Sequence, residues 1–417
     1  MADIPHAGGL DSIRAVLADP YRFISTRCAQ LGTDVFETSM LRYRAICMTG
    51  PEAARAFYES GTFQRAGAAP ARLLKTLFGQ GGVQGLDGAR HAARKELFTS
   101  LLDAERVRAL SASFASGWRE LAAKWTASGD DVVLYDELRE LLTHSVCAWA
   151  GVPLPEHQVR RRCQQLTALF DGAGAIGARH WRARRARAAT QSWLEEIIGA
   201  IRARELHPPQ GSAAHEVAWH MDVDHALLDR QTAAVELLNI LRPTVAVAIY
   251  LTFVAHAMHE HPYWRRGLEA GDEHSVEMFI QEVRRYYPFF PAVVATAGED
   301  VDWAGYRIPA GSHIVLDLYG TNHDPRAWDE PERFDPERFR ARRDDRFSFI
   351  PQGGGDPHSH HRCPGEPVAT ELMRTTVAML SNELDYELPK QDMRIDYTRL
   401  PALPHSGMTL RNMHSYA

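Results

Sequence analysis

The sequence predicts a mainly α-helical protein with a small β region, and three observations carry that prediction. From Asp87 to about Tyr287 apolar residues recur at helical spacing almost without a break. Short runs rich in Val, Ile and Thr, punctuated by Gly and Pro, stand on either side of that block, before Gly50 and after Pro288. The segment Ala233 to Met258 is apolar over most of its length, as befits a helix buried on all sides.

Composition narrows the class. The 417 residues are 45% hydrophobic and 24% charged, ordinary for a globular protein. A net charge of -6 argues against a nucleic-acid partner. The five cysteines (Cys28, Cys47, Cys147, Cys163, Cys363) are scattered, with no CxxC pair, which fits a reducing compartment and hence a cytoplasmic protein. The opening MADIPHAGGLDSIRAVL has no basic region followed by an apolar core, so neither signal peptide nor membrane anchor is expected. Ala233–Met258 passes for a membrane span by hydropathy, yet it carries Glu236, Asn239, Arg242, Pro243 and His256. A buried core helix is the better reading.

Taken in order, Ser12 to Leu31 reads as one helix, and Val35–Met40 with Tyr43–Thr49 as paired strands. Gly50-Pro51 opens a short helix through Tyr58, with proline in its first turn. Asp87 reads as the N-cap of a helix whose His91, Arg94 and Lys95 cluster, since residues three and four apart share a face. The basic run Arg179–Arg187 reads as the wet face of a helix, and His207–Ala214 as a surface loop. Asp229 to His261 reads as one helix capped by Asp229 and stopped by Pro262. At ~1.5 Å per residue such a helix runs ~45 Å, enough to cross the molecule. After Pro288, Val293–Ala297, Val301–Trp303, Tyr306–Ile308 and His313–Leu318 read as strands, and Pro331 to Arg346 as irregular. A final helix starts after Cys363, with Pro367 in its first turn.

Two positions look chemical. Cys363 closes the loop Phe347-Ser-Phe-Ile-Pro-Gln-Gly-Gly-Gly-Asp-Pro-His-Ser-His-His-Arg-Cys363 at a helix N-terminus, where unpaired amides stabilise a thiolate. An axial ligand to haem iron, a buried structural cysteine, and a zinc site with His358, His360 and His361 all remain open there. Arg242 is the second. Its helical neighbours Val235, Leu238, Asn239, Val245, Ala246 and Ile249 make a largely apolar face, and Glu236 lies on another side. A guanidinium so placed needs an anion. Either a distant Asp or Glu supplies it, or a ligand carboxylate gripped bidentately does.

Three motifs in sequence give a resemblance. Glu282-Val-Arg-Arg285, Pro336-Glu-Arg-Phe339 and the Cys363 loop follow one another as in the cytochrome P-450 superfamily, which the chain resembles from about Phe63 to Glu366. The resemblance implies a single catalytic haem domain over 1–417, with haem between the long central helix and the cysteine loop. Its helix-rich core would span about 87–287 and 364–384, and its small sheet about 33–50 and 291–320. It implies that Glu282, Arg285 and Arg338 form a structural network behind the haem. Cys363 would ligate the iron of haem b, with His91, Arg94, Lys95, Arg362 and Gly365 around the cofactor.

There are departures. Asp356 and Ser359 stand where that loop usually has Phe and Gly, and Arg242-Pro243 replaces the usual acid–alcohol pair. With Gln281–Pro291 and His361–Glu366, this looks like the bacterial fatty-acid peroxygenase branch. That branch implies fatty-acid hydroxylation at the alpha or beta carbon with hydrogen peroxide, without an obligatory redox partner. The substrate carboxylate, held by Arg242 beside Pro243, would serve as general acid–base. By the same resemblance Gln84 overhangs the haem, where alkene-forming relatives carry histidine. Glutamine does not titrate, so decarboxylation to terminal alkenes is expected to be minor. Phe78, Phe170, Phe289, Phe290 and Val293 are candidates for the chain pocket. The rival readings are a reductase-fed monooxygenase, with Thr244 relaying protons, and a non-enzymatic haem sensor.

Overall fold

Helical spacing becomes helix across the middle of the chain in the computed structural model, which describes residues 3–8, 10–40, 43–342 and 345–416. Gly88–Leu101, Ala104–Ser128, Leu134–Ala150, Glu156–Asp171 and Ala178–Arg202 succeed one another, each burying an apolar stripe. They enclose a central pair, Arg230–Ala246 and Ala248–Glu260, which packs on Leu134–Ala150, Glu156–Asp171 and Ala178–Arg202. Of residues 233–258, all are buried except Pro243. The apolar segment is therefore the core of the protein.

The central helix departs from the expected single rod. Asp229 caps it, accepting from the Thr232 amide at 2.9 Å, and it runs on through Pro243. It breaks a turn later at Val247, whose amide tightens onto the Thr244 carbonyl. A ring without a donor removes one rung, and the strain is relieved where the next rungs would form. The expected helix Ser12–Leu31 is likewise two, Leu10–Ala18 and Phe23–Leu31. Pro20 cannot donate, and the Asp19 carboxylate takes the Tyr21 and Arg22 amides at 3.1 and 3.0 Å instead. Asp87 precedes its helix as expected but does not cap it with its side chain. Its carboxylate accepts from the Arg65 and Ala66 amides at 3.0 and 2.8 Å, fastening the preceding loop.

One sheet joins both ends of the chain. Its order is Val35–Met40, Tyr43–Met48, His313–Asp317, Ala292–Ala297 and Phe63–Gln64, antiparallel except where Tyr43–Met48 meets His313–Asp317. Val301–Trp303 and Tyr306–Ile308 form a hairpin. A further sheet, Val132–Val133, Thr409–Ser415 and Leu384–Glu387, lies outside the expected β regions. Its strands are short and separated by long stretches of chain, so no local pattern announces it.

Behind the cysteine loop, the helix Glu273–Tyr286 presents Glu282 and Arg285 three residues apart, and they pair bidentately at 2.7 Å with both side chains fully buried. Arg285 also donates to the carbonyls of Asn322, Pro331 and Arg333, and Arg338 reaches Glu282 at 3.2 Å. These bonds gather the irregular segment 331–338 onto one carboxylate. Removing one side of such a pair leaves a buried charge uncompensated. Glu282→Ala is expected to cost ~3–5 kcal/mol in denaturant unfolding; a loss below ~1 kcal/mol would show that the network is ornamental.

Candidate active site

Cys363 stands just before the helix Glu366–Asn382, whose first turn contains Pro367. Its amide donates to the Gln352 carbonyl at 3.1 Å, which folds the loop back on itself. The sequence expectation of an easily ionised thiol is reversed here. Burial, and then Glu366, push the Cys363 thiol up, against the Gly365 amide, Lys95 and Arg284. The helix terminus alone does not outweigh desolvation. The other four cysteines are buried and free, and burial raises their thiols too.

Two of the three histidines of the loop are engaged separately. His360 Nδ1 accepts the Asp356 amide at 2.8 Å. His361 stacks on His91, ring centroids 3.8 Å apart, and lies 3.6 Å from the Asp87 carboxylate. Among the described residues no group of three His, Cys, Asp or Glu side chains is placed to hold a metal ion. Asp356, at the position where Phe was expected by resemblance, accepts the His358 and Ser359 amides and closes a polar turn.

Across the interior from the cysteine lies Arg242. It is buried, and among the described residues no carboxylate lies within ion-pair distance of it. Its Nη1 donates to the Leu77 carbonyl, at the turn Leu74–Phe78. Burial, and then the neighbouring Arg187, pull its pKa down to about 9, while Cys363 and Glu236 oppose the shift. Pro243 beside it is the one partly open residue in the buried stretch. Cys363 and Gly365 also keep part of their surface open although they lie within the protein. The Thr244 hydroxyl is committed to the Ile240 carbonyl at 2.9 Å.

A polar chain leads away from Arg242 along the same helix. The Asn239 amide donates to Gln84 Oε1 at 3.1 Å and to Glu236 Oε2 at 2.9 Å. Arg94 donates to Glu236 at 2.7 Å and to Asp222 at 2.9 Å. Arg94 was expected beside the cofactor, but its charge is met by two protein carboxylates. The reason is Glu236, fully buried, which the sequence placed correctly off the Arg242 face but left without a partner. Lys95 remains on the cysteine side, donating to the Arg362 carbonyl, with its pKa lowered to about 8 by burial. Arg362 pairs with Glu366 at 2.9 Å, as does Arg284 at 3.1 Å. Arg284 went unremarked in the sequence, although it is the first arginine of the Glu-Val-Arg-Arg motif.

The apolar candidates divide. Phe78, Phe290 and Val293 are partly open, and Phe289 stacks on Tyr250 with ring centroids 4.3 Å apart. Phe170 is fully buried in the main core, so its surroundings are other side chains.

These surroundings fit haem. Cys363 offers a sulfur with part of its surface open, and beside it stand the cation Lys95 and His91, whose ring burial keeps neutral and able to donate; a thiol ligand with such donors near it is what an iron-bearing dianion requires. Cys363 would hold its iron, and Lys95 and His91 its carboxylates.

Comparison with known proteins agrees. A family profile described as Cytochrome P-450 matches residues 274–409. Cytochrome P-450SP alpha in complex with (R)-ibuprophen is 50% identical over 97% of this chain and 99% of that one, with a TM-score of 0.94. Cytochrome P-450EX alpha with myristic acid is 40% identical over the whole of both chains, with a TM-score of 0.96. Among curated proteins, cytochrome P-450 71A8 of Mentha piperita is 31% identical over 135 residues, and the match spans about a quarter (26%) of its length.

Since Arg94 balances buried Glu236, Arg94→Ala should lower the stability of the cofactor-loaded protein by ~3–5 kcal/mol in denaturant unfolding. Lost cofactor with unchanged stability would instead give that guanidinium to the cofactor.

Proposed function

The chain belongs to the cytochrome P-450 family, and from that premise we propose that it is a haem-thiolate peroxygenase of the fatty-acid branch. It hydroxylates long-chain fatty acids at the alpha or beta carbon with hydrogen peroxide. It works in the cytoplasm as a single haem domain, without a redox partner. The observation that carries this reading is Arg242: a buried guanidinium whose only hydrogen-bond partner among the described residues is a backbone carbonyl.

When bound, haem b supplies iron chemistry for splitting the O–O bond of peroxide, with Cys363 as its ligand. What the protein must add is a mobile proton, since that bond breaks heterolytically only if a proton moves from one oxygen to the other. Thr244 is tied to the Ile240 carbonyl and Gln84 does not titrate, so neither side chain moves it. A substrate carboxylate paired with Arg242 takes the proton from one peroxide oxygen and returns it to the other, which departs as water. The sum is RH + H2O2 giving ROH + H2O. Arg242 fixes the carboxylate, so the carbons next to it lie nearest the reacting oxygen. Pro243 keeps that part of the helix wall open. Phe78, Phe289, Phe290 and Val293 then cover the chain.

A single outcome separates this from a reductase-fed monooxygenase. Arg242→Ala should retain haem and its thiolate spectrum yet lose peroxide-driven fatty-acid oxidation by ~100-fold or more, measured by product analysis without any electron donor. Full activity in that variant would falsify the proposal. The pH dependence follows from the same group. Only the charged guanidinium grips a carboxylate, so fatty-acid affinity should hold up to about pH 9 and then fall ~10-fold per pH unit. An affinity unchanged across that range would place the anion's partner elsewhere.

A further inference from the structure

Arg187 lies at the inner end of the basic run that the sequence presented as a wet helix face, and it is buried. Its Nη1 donates to the Leu77 carbonyl at 3.2 Å. That oxygen is the one Arg242 also holds, so two guanidiniums share one acceptor. Arg187 Nη2 is buried, with no hydrogen-bond partner among the described residues. Its Nε reaches Gln191 at only 3.4 Å, and the carboxylate that bears on its charge, Glu236, is already bonded to Arg94 and Asn239. Glu236 and Asp222 both pair with Arg94, and among the described residues neither Arg187 nor Arg242 has a carboxylate within ion-pair distance, so an incoming anion meets two guanidiniums not yet paired.

The turn is shaped to admit Arg187. Gly79 has φ +83°, and a Cβ there would fall 1.9 Å from Arg187 Nη2. Only glycine leaves room for the guanidinium at that backbone angle.

We propose that Arg187 is a second carboxylate-positioning residue, which keeps the Leu77 carbonyl satisfied while Arg242 turns to the substrate. This rests on the reading of Arg242 given above. Without Arg187, release of Arg242 would orphan a buried acceptor, which is costly, and Arg242 would stay where it is. Arg187 also contributes its own charge to the attraction of the carboxylate. It does not itself move the proton.

The test is equilibrium binding of myristate and of myristyl alcohol to the haem-loaded enzyme, followed by the haem absorption shift. Wild type should prefer the acid; no preference there would sink the Arg242 reading itself. Arg187→Gln should weaken myristate ~10–100-fold while leaving the alcohol within ~2-fold, and raise KM with little change in kcat. Combined with Arg242→Gln, it should add less than its effect alone, because both act on one carboxylate. Arg187→Lys should restore the preference at neutral pH and lose it at lower pH than wild type, since a buried ammonium gives up its proton more readily. If the glutamine variant does not retain haem, this shift in the lysine variant decides alone. Equal losses for acid and alcohol, an undiminished acid preference in the glutamine variant, or a lysine variant that follows the wild-type pH profile would each overturn the role of Arg187.

Discussion

The burial of Arg242 without a counter-ion is the constraint that orders this molecule. A guanidinium removed from water is expensive unless an anion or several acceptors replace the solvent. Here one backbone carbonyl stands in. The cost is sustained because the rest of the central helix is packed on every side, from Ala233 to Met258, with an opening only at Pro243. The protein holds a charge ready beside the partly open Pro243, and a substrate that brings the missing anion is stabilised by what folding has already arranged.

The opposite wall obeys the complementary logic. Cys363 is a sulfur whose ionisation is disfavoured by burial, in a loop fixed by Gln352 and flanked by the Arg284–Glu366–Arg362 cluster. Behind it, Glu282 with Arg285 and Arg338 gathers otherwise irregular chain. The sheet built from both ends of the sequence seats Ala292–Ala297 between His313–Asp317 and Phe63–Gln64. Neither wall is complete alone. One lacks an anion for its guanidinium and the other a metal for its sulfur, and a haem and a carboxylate supply them.

Much of this was legible in residue order, and the failures have physical causes. Strands with dense β-branched residues and helices with clear apolar stripes follow local pattern, as do the Glu282–Arg285 pair and the cysteine loop. The breaks at Pro20 and Val247 turn on which backbone donor finds a replacement, which pattern does not encode. The C-terminal sheet pairs strands far apart in sequence. Arg187 departs from its wet-face reading, and the protein partners of Arg94 went unseen, for one shared reason: a charged residue in a helical run carries no mark of whether it faces water or core. Arg94 turned out to answer Glu236, and Arg187 to share an acceptor with Arg242. The ionisation of Cys363 went astray because a helix terminus is a local feature while burial is a global one.

The most direct measurement of the central claim is a crystal structure of the haem-loaded protein with a long-chain fatty acid. The account predicts the carboxylate within hydrogen-bonding distance of the Arg242 guanidinium, the Leu77 carbonyl held by Arg187 alone, and the alpha and beta carbons turned toward the iron. A carboxylate bound elsewhere, with Arg242 still on Leu77, would contradict it.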